Sequence, residues 1–492
     1  MRIAGRLAAS PVLFRAVVAA GVFLVGCHTA ALTGLRIDRV DPAAGGANLR
    51  SLGLYWTTSA GLWGVLTLLA WLTVRAERGG GGTSEAWPVR ERWRVGVSIV
   101  VVAAAARVVV ASVSWPQLSD DVWRYIHDGR QLVGGVNPYA YSPAEVGAGS
   151  GADPIVDQIN HPDMVTIYQP VSQWVFAALW WARPAGVDPW GVGTFRLGFA
   201  AIDLGIVLML LWVLWREGRS PWWAALYAWH PLVIGEVAGS GHQDVIGIAL
   251  LMGAVVLVGG GRPGWRRVLG GGVLWAGSVA VKPVGLLLAL PVIWGRGWRW
   301  REAVVGAIAA GGMLMALYLP FVLMDGGLGR LFETTCVFVE RWGFNSPIHK
   351  PVELLVGSRA WANVVAGGVL MAVWVGCLVR RYDPWRAGRM LLLAALLVSS
   401  TVHPWYLLWA LALLPTRFEA GLWVLSLTIG WSYAVLGDVM GWELPGWVLM
   451  LEYLPVAVIG VAGMLRQDAG VVMGSAVRGP VEGGSPLTAR GR

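Results

Sequence analysis

The sequence predicts an all-α polytopic membrane protein, and three observations carry that prediction. Hydrophobic residues make up 56% of the 492 residues and charged ones 14%, where a soluble chain carries about 25% charged residues. The mean hydropathy is +0.60. Apolar runs close to the ~20 residues that a ~30 Å bilayer core demands recur from one end to the other, separated by short polar links. A net charge of +9 does not point to nucleic acid as a partner. The arginines gather at the ends of the apolar runs, where positive charge holds a loop on the cytoplasmic side. Cys27, Cys336 and Cys377 make no disulfide framework.

Arg2 and Arg6 precede the first run, which continues past Cys27 through Ala31 and so reads as a span with its N-terminus inside instead of a cleaved signal. Spans are expected at about Val17 to Leu35 and Leu54 to Val74, leaving the basic stretch Arg75 to Arg94 in the cytoplasm. A third, Val95 to Val113, leads outward into a polar stretch from Trp115 to Tyr168 with many Gly, Pro, Asn and Asp turn formers. The run Val171 to Ala182 is too short to cross and reads as an interfacial helix.

Phe195 to Trp215 then returns to Arg216 and Arg219, and the spans Trp222 to Ala238 and Val245 to Gly260 form a hairpin with its outer tip at Gly239 to Asp244. The run Val268 to Trp294 is long for one span and short for two, with Lys282-Pro283 near its middle. A pair of short helices or a re-entrant hairpin fits, because broken backbone is tolerated at depth where protein or water surrounds it. Met390 to Pro415 repeats the arrangement around His403-Pro404, between Arg389 and Arg417. Ala303 to Met324 leads into a second outer loop, Asp325 to Ser358, and Ala360 to Val379 returns; Leu422 to Leu436 and Trp447 to Leu465 are the last spans. The Gly-rich tail, Gly470 to Arg492, has the composition of a disordered cytoplasmic segment.

Four units follow. Residues 1–94 hold two N-terminal helices and a cytoplasmic loop, 95–415 a membrane core with external loops 114–170 and 325–358, 416–466 the C-terminal helices, and 467–492 the tail. The expected total is about 12 to 14 transmembrane helices in a cell (inner) membrane, with both termini cytoplasmic and the polar loops outside.

The ionisable residues on the outer side are the candidates for chemistry, since polar groups near a membrane interior mark functional pathways. Asp120 and Asp121 open the first loop after the third span. Adjacent carboxylates push their pKa values apart, which suits a general base with a partner; a helix N-cap and a metal ligand are the other readings of the pair. Arg124 and Asp128 are spaced i, i+4, so they either pair on a helix or contact substrate. Asn137-Pro138 forms a turn, while Tyr125, Tyr139 and Tyr168 are available to stack on a sugar or to line the loop.

His161 binds phosphate or a metal, or hydrogen bonds the loop. His242 and Asp244 form an H-x-D pair, in which the carboxylate orients the imidazole or supplies half of a metal site. Lys282 and Lys350 stand in a chain whose other basic residues are arginine, each followed by proline, and a compact ammonium suits a phosphate. His403 interrupts an apolar run, and Arg341 and His349 lie in the second outer loop. The sequence requires no cofactor, and a divalent metal has no support beyond the H-x-D spacing.

The segments SDDVWRYIHDGRQLVGGVNPYAYSP, NHPDMVTIYQP, WHPLVIGEVAGSGHQD, VKP and STVHPWYLLWALALLP, in that order from about Leu118 to Pro415, resemble the GT-C class of membrane glycosyltransferases. The likeness is to the polyprenol-phosphate-dependent proteins of glycosyltransferase family 87 and the related alpha-1,6-mannopyranosyltransferases. That resemblance implies a GT-C-like bundle and a lipid-linked phosphate sugar as donor, with a glycan or glycolipid acceptor. It further implies a catalytic acid in the first large external loop, here Asp120 with Asp121 as partner. The base would take the acceptor's proton during inverting displacement; Lys282, Arg341, His349 and His403 would stabilise the departing lipid phosphate. Gln169 stands where the family pattern has a second proline, and two spans precede the catalytic loop where the minimal architecture has one. A multi-pass transporter or lipid-linked glycan flippase is the alternative, for which the broken runs around Lys282 and His403 speak.

Overall fold

A computed structural model describes residues 11–38, 44–79, 89–147, 153–259, 263–288, 300–437 and 444–459. Among the described residues there are helices and turns but no strand; extended backbone pairs at a single bridge, Phe344 with Thr401. The N-terminal helices α1 (Pro11–Gly34) and α2 (Gly45–Gly79) pack along each other. Then come α3 (Val89–Val113), the amphipathic α4 (Asp121–Val133), α5 (Pro170–Ala182) and the long α6 (Val192–Arg216), which packs on α3. Next are α7 (Asp244–Val258), α8 (Trp265–Val279) and α9 (Trp300–Leu323), with α8 packed on both neighbours. The remainder is α10 (Glu333–Arg341), α11 (His349–Val356), α12 (Arg359–Val379), α13 (Pro384–Val398) and α14 (Ala420–Thr428).

Among the described residues seven helices are long and apolar enough to cross a membrane: Val12–Gly34, Gly45–Glu77, Val89–Val113, Val192–Arg216, Trp300–Leu323, Arg359–Val379 and Ala420–Gly437. Asp244–Val258 and Gly446–Ile459 are apolar but shorter. This is fewer than the 12 to 14 spans expected from hydropathy; the expected spans from Val245 and Trp447 are these two shorter helices, and broken backbone accounts for others. The expected span Trp222 to Ala238 is a succession of short turns, Pro221–Ala224, Ala225–Ala228, Pro231–Val233 and a π-helical turn Ile234–Ser240. Pro221 and Pro231 each begin a turn; a proline lacks the N–H that would continue a helix. These turns are buried, so surrounding protein shields the broken ladder. Breaks also fall at Lys282-Pro283, where α8 gives way to the turn Pro283–Leu288, and after α13, where Pro404–Leu407 and Leu408–Leu411 are short turns. Arg2, Arg6, the tail 467–492, residues 80–88 of the basic loop and residues 289–294 of the run at Lys282 lie outside the described residues.

The two expected external loops are built as one cap. Apolar residues Val122, Trp123, Tyr125 and Ile126 give α4 a buried face against α5, each large side chain contributing about 1.5–3 kcal/mol of burial. Close approach requires Gly129, because a Cβ there would lie 2.4 Å from the Phe176 carbonyl oxygen. Asn137 fastens the first loop to the second: its Nδ2 donates to the carbonyls of Asp325 (3.1 Å) and Gly327 (2.8 Å), while the Tyr139 hydroxyl donates to the Tyr168 carbonyl (2.8 Å). Gln169 adds a tie to α9, accepting from the Tyr318 hydroxyl at 2.5 Å.

One ion pair inside the bundle locks α3 to α6. Arg107 Nε donates to Asp203 Oδ2 at 2.5 Å, both side chains 0% exposed. Arg107 also donates to the Ala228 carbonyl (2.8 Å), and Tyr227 donates to Asp203 Oδ1 (2.6 Å). Replacing one partner strands the other as an uncompensated buried charge, at a cost of about 3–5 kcal/mol. Asp203→Leu is therefore expected to lower the thermal unfolding midpoint of the detergent-solubilised protein well below that of an exposed control such as Glu217→Leu. Equal midpoints would remove the pair from the stabilising framework.

Candidate functional site

Four chain breaks deliver the site. Asp121 is the first residue of α4, its backbone N–H bonded to Ser119 Oγ at 3.3 Å. His242 follows the π turn, whose end at Gly241 is left-handed (φ +79°), and its N–H donates to the Glu236 carbonyl at 2.9 Å. A side chain at Gly241 would also collide, its Cβ 2.9 Å from Arg196 Cγ. Asp244 opens α7, and Lys282 sits where α8 ends.

These residues converge. His242 is buried with Nδ1 3.6 Å from Asp121 Oδ2 and Nε2 3.3 Å from Glu236 Oε2. Tyr433 donates its hydroxyl to the other oxygen of Glu236. Lys282 Nζ donates to Asp244 Oδ1 at 3.0 Å and lies 3.8 Å from the centre of the Tyr406 ring, while Trp409 Nε1 donates to the same Asp244 oxygen at 2.7 Å. A column of stacked rings closes one wall: Phe344 on His403 (4.9 Å), His403 on Trp405 (4.3 Å), and Trp405 on His242 (4.0 Å).

Asp121 keeps 31% of its side chain accessible, so it faces a recess that solvent reaches. Enclosure raises its pKa above the ordinary aspartate range; the charge of His242 pulls the other way, Asp120 and Asp244 push it further up, and Lys282 lowers it. The Tyr125 hydroxyl donates to Asp121 at 3.4 Å, and the Tyr125 ring stacks on Phe176 (4.7 Å) and edges Tyr168 (4.8 Å). Asp120 occupies the N-cap position of α4 without a side-chain cap bond. Its carboxylate accepts from Asn160 Nδ2 at 3.3 Å, so the two neighbouring acids face different partners.

The remaining sequence candidates divide. Asp128 binds structure: Arg124 Nε (2.8 Å), Thr166 Oγ1 (2.5 Å) and Gln173 Nε2 (3.1 Å) all donate to it. Burial works to raise its pKa, yet Arg124, His127 and Thr166 together bring it below the ordinary range. Asn137 and Tyr139 staple the cap. His161 is exposed, left-handed (φ +55°) and packed on Trp342 at 4.9 Å. Arg341 is exposed at the end of α10. His349 is buried in the second loop, its ring bonded to Asn363 at 2.7 Å and 4.0 Å from Glu353, outside the group around Asp121. Lys350 is 56% exposed beside Glu353. Among the described residues no group of three or more His, Cys, Asp or Glu side chains is placed to hold a metal ion.

Glu236, Tyr433, Trp405 and Trp409 were not among the sequence candidates. A signal for Glu236 was available, namely a lone carboxylate inside an apolar run. Nothing in a single sequence singles out Tyr433 or Trp409, whose roles come from contacts across the bundle.

With seven helices among the described residues long and apolar enough to cross a membrane, and carboxylates, an imidazole and an ammonium gathered at broken helix ends, the chain is of the class of helical membrane proteins with a polar site inside the bundle. More narrowly, the chain belongs to the MptA_B family: residues 12–297 match the alpha-(1->6)-mannopyranosyltransferase N-terminal domain. Family membership supports a glycosyltransferase. No curated protein and no solved structure matches the chain.

Gly241→Ala is expected to strain the left-handed turn and push Arg196 or Val122 aside, destabilising the protein by about 1–3 kcal/mol. Thermal unfolding checks this; an unchanged midpoint would show that the turn tolerates a side chain.

Proposed function

We propose that the protein transfers a hexose, with mannose the family's indication, from a polyprenyl-phosphate-linked donor to a hydroxyl of a glycan or glycolipid acceptor. The reaction runs at the extracytoplasmic face of the cell membrane with inversion. The observation that carries this reading is the recess in which a partly accessible Asp121 stands near His242 and the Lys282–Asp244 pair, in a chain of a mannosyltransferase family.

Asp121 is the acceptor base. Its raised pKa brings it closer to the operating pH, where a base is most effective. The acceptor oxygen attacks the anomeric carbon as its proton passes to Asp121, and the bond from that carbon to the phosphate oxygen breaks, its electron pair leaving with the lipid phosphate. Lys282 carries three N–H donors, of which Asp244 takes one, so the ammonium can also meet phosphate oxygens as charge develops on them. Asp120 stands beside the base, and its link to Asn160 draws the His161 segment to the acceptor side. Support for sidedness comes from the arginines. Arg196, near the start of α6, bonds to the Ala238 carbonyl beside the site, whereas Arg216 ends the same helix and Arg219 follows it, and such clusters face the cytoplasm.

Transfer of labelled sugar from polyprenyl-phosphate mannose by purified protein tests the reaction. Asp121→Asn is expected to lower the rate by at least about 10²-fold, with a smaller loss for Asp120→Asn. Because the base works deprotonated and its pKa is raised, the rate should fall as pH drops through a value above the ordinary aspartate range. Activity that survives Asp121→Asn would refute the base, and solute movement across vesicles without a glycosidic product would favour transport. Sidedness has its own check: the exposed native thiol of Cys336 should react with an impermeant maleimide in right-side-out membrane vesicles, and labelling only after permeabilisation would reverse the orientation.

A further inference from the structure

The proposed reaction leaves Glu236 without a part, although it is a fully buried carboxylate in an apolar bundle, where an ionised acid is costly unless it is paired. It sits on the π turn Ile234–Ser240, and wide turns of this kind are concentrated at functional positions. Its Oε2 lies 3.3 Å from His242 Nε2, on the side of the imidazole opposite Asp121. Both ring nitrogens are shut off from water and neither makes a hydrogen bond, and Glu236 Oε2 beside the ring is likewise buried without one; the carboxylates face the ring at charge-pair distance.

A neutral imidazole has one N–H and one lone pair, so between two carboxylates it would turn its lone pair on one of them. Only the doubly protonated ring presents an N–H to each. The Tyr433 hydroxyl donates to Glu236, which suits an ionised acceptor. Trp405 covers the face of His242 at 4.0 Å, nearly parallel (16°), an arrangement that favours a cation over a π surface.

We propose that Glu236 is a positioning residue that holds His242 as a cationic imidazolium from inside the bundle, so that Asp121 keeps its negative charge in the enclosed recess. The proposal rests on Asp121 as the base, and it adds a device that sets when that base is ready. His242 lowers the pKa of Asp121 against the rise that enclosure imposes; Glu236 is what keeps His242 charged.

Other charges around the pair do not replace it. Lys282 and Asp244 offset each other at 3.0 Å. His403 stands one ring further along the stack, across Trp405, and Asp120 is turned to Asn160. The phenols of Tyr125, Tyr406, Tyr55 and Tyr433 are neutral at ordinary pH.

The test uses Glu236→Gln, which keeps shape and removes charge, and Glu236→Asp, which keeps charge. Nitrogen-15 NMR of histidine-labelled full-length protein in lipid, assigned with His242→Gln, should show a cationic His242 ring at pH 7 in the wild type and in Glu236→Asp, and a neutral ring in Glu236→Gln. In the transfer assay the pH–rate profile of Glu236→Gln should shift on its acid side, the acid limb moving up by about one unit as Asp121 loses a facing cation. Glu236→Asp should keep the wild-type acid limb.

A purely structural Glu236 would lower the rate equally at every pH with the acid limb in place. That result, or a His242 ring that stays cationic in Glu236→Gln, overturns the proposal. A neutral ring in the wild type overturns it as well. If the wild type transfers no sugar, or Asp121→Asn transfers it normally, the proposed reaction or its base fails while the ring's charge state still decides the role of Glu236.

Discussion

An ionised group inside this bundle has to be neutralised where it stands, because no bulk water is present to do it. That constraint orders the helices. Arg107 needs Asp203, so α3 and α6 lie side by side. Arg196 needs acceptors, and it finds the carbonyls of Val110 and Ser114 at the end of α3 and of Ala238 in the π turn. With a single guanidinium the chain ties the end of α3, which leads to Asp121, to the turn that leads to His242.

The same constraint explains why the site is assembled from broken backbone. An intact helix uses its own carbonyls for its ladder and leaves only their second lone pairs for a buried cation. Where the ladder stops, carbonyls become available and side chains leave the helix axis at new angles. The turns through 221–240, the break at Lys282 and the turns after His403 each supply one wall. The ring column then joins two distant loops: Phe344 exchanges backbone bonds with Ser400 and Val402, and stacks on His403. Through it the segment between α9 and α12 reaches His242.

Much of the helical framework was legible in the sequence, because apolar length is a one-dimensional property. The spans from Val95, Phe195, Ala303 and Ala360 all correspond to long helices in the structure, and the short run at Val171 is helix α5. The run Trp222 to Ala238 reads as a span because every residue of it is buried, yet burial in protein and burial in lipid leave the same hydropathy signature. The arginine pattern put His242, Asp244 and Lys282 on one side of the chain's map, and the structure brings them together around Asp121. Which of two adjacent aspartates turns toward them was not legible, since that depends on the exit angle of α4, set at Gly129 by contact with Phe176. Arg107 and Asp203 each looked like a blemish in an apolar run, and only their meeting across 96 residues makes them a pair.

In the proposed reaction the substrate brings a phosphate, itself an anion, into a recess that already holds Asp120, Asp121 and Asp244. A base and a phosphate site make opposite demands: one needs a carboxylate with its charge retained, the other needs positive potential. The arrangement meets both by separation. The acids that face the acceptor stand at the head of α4, while Lys282 and His403 belong to the opposite breaks, with the ring of Tyr406 against both. His242 lies between the two sides, edge toward Asp121 and face toward Trp405. A cation at that position serves both demands at once, holding the base ionised and offsetting the repulsion that the incoming phosphate meets. Glu236 behind it is then the counter-charge that lets such a cation exist in a dry interior, and the Tyr433 hydroxyl is what lets Glu236 exist there in turn.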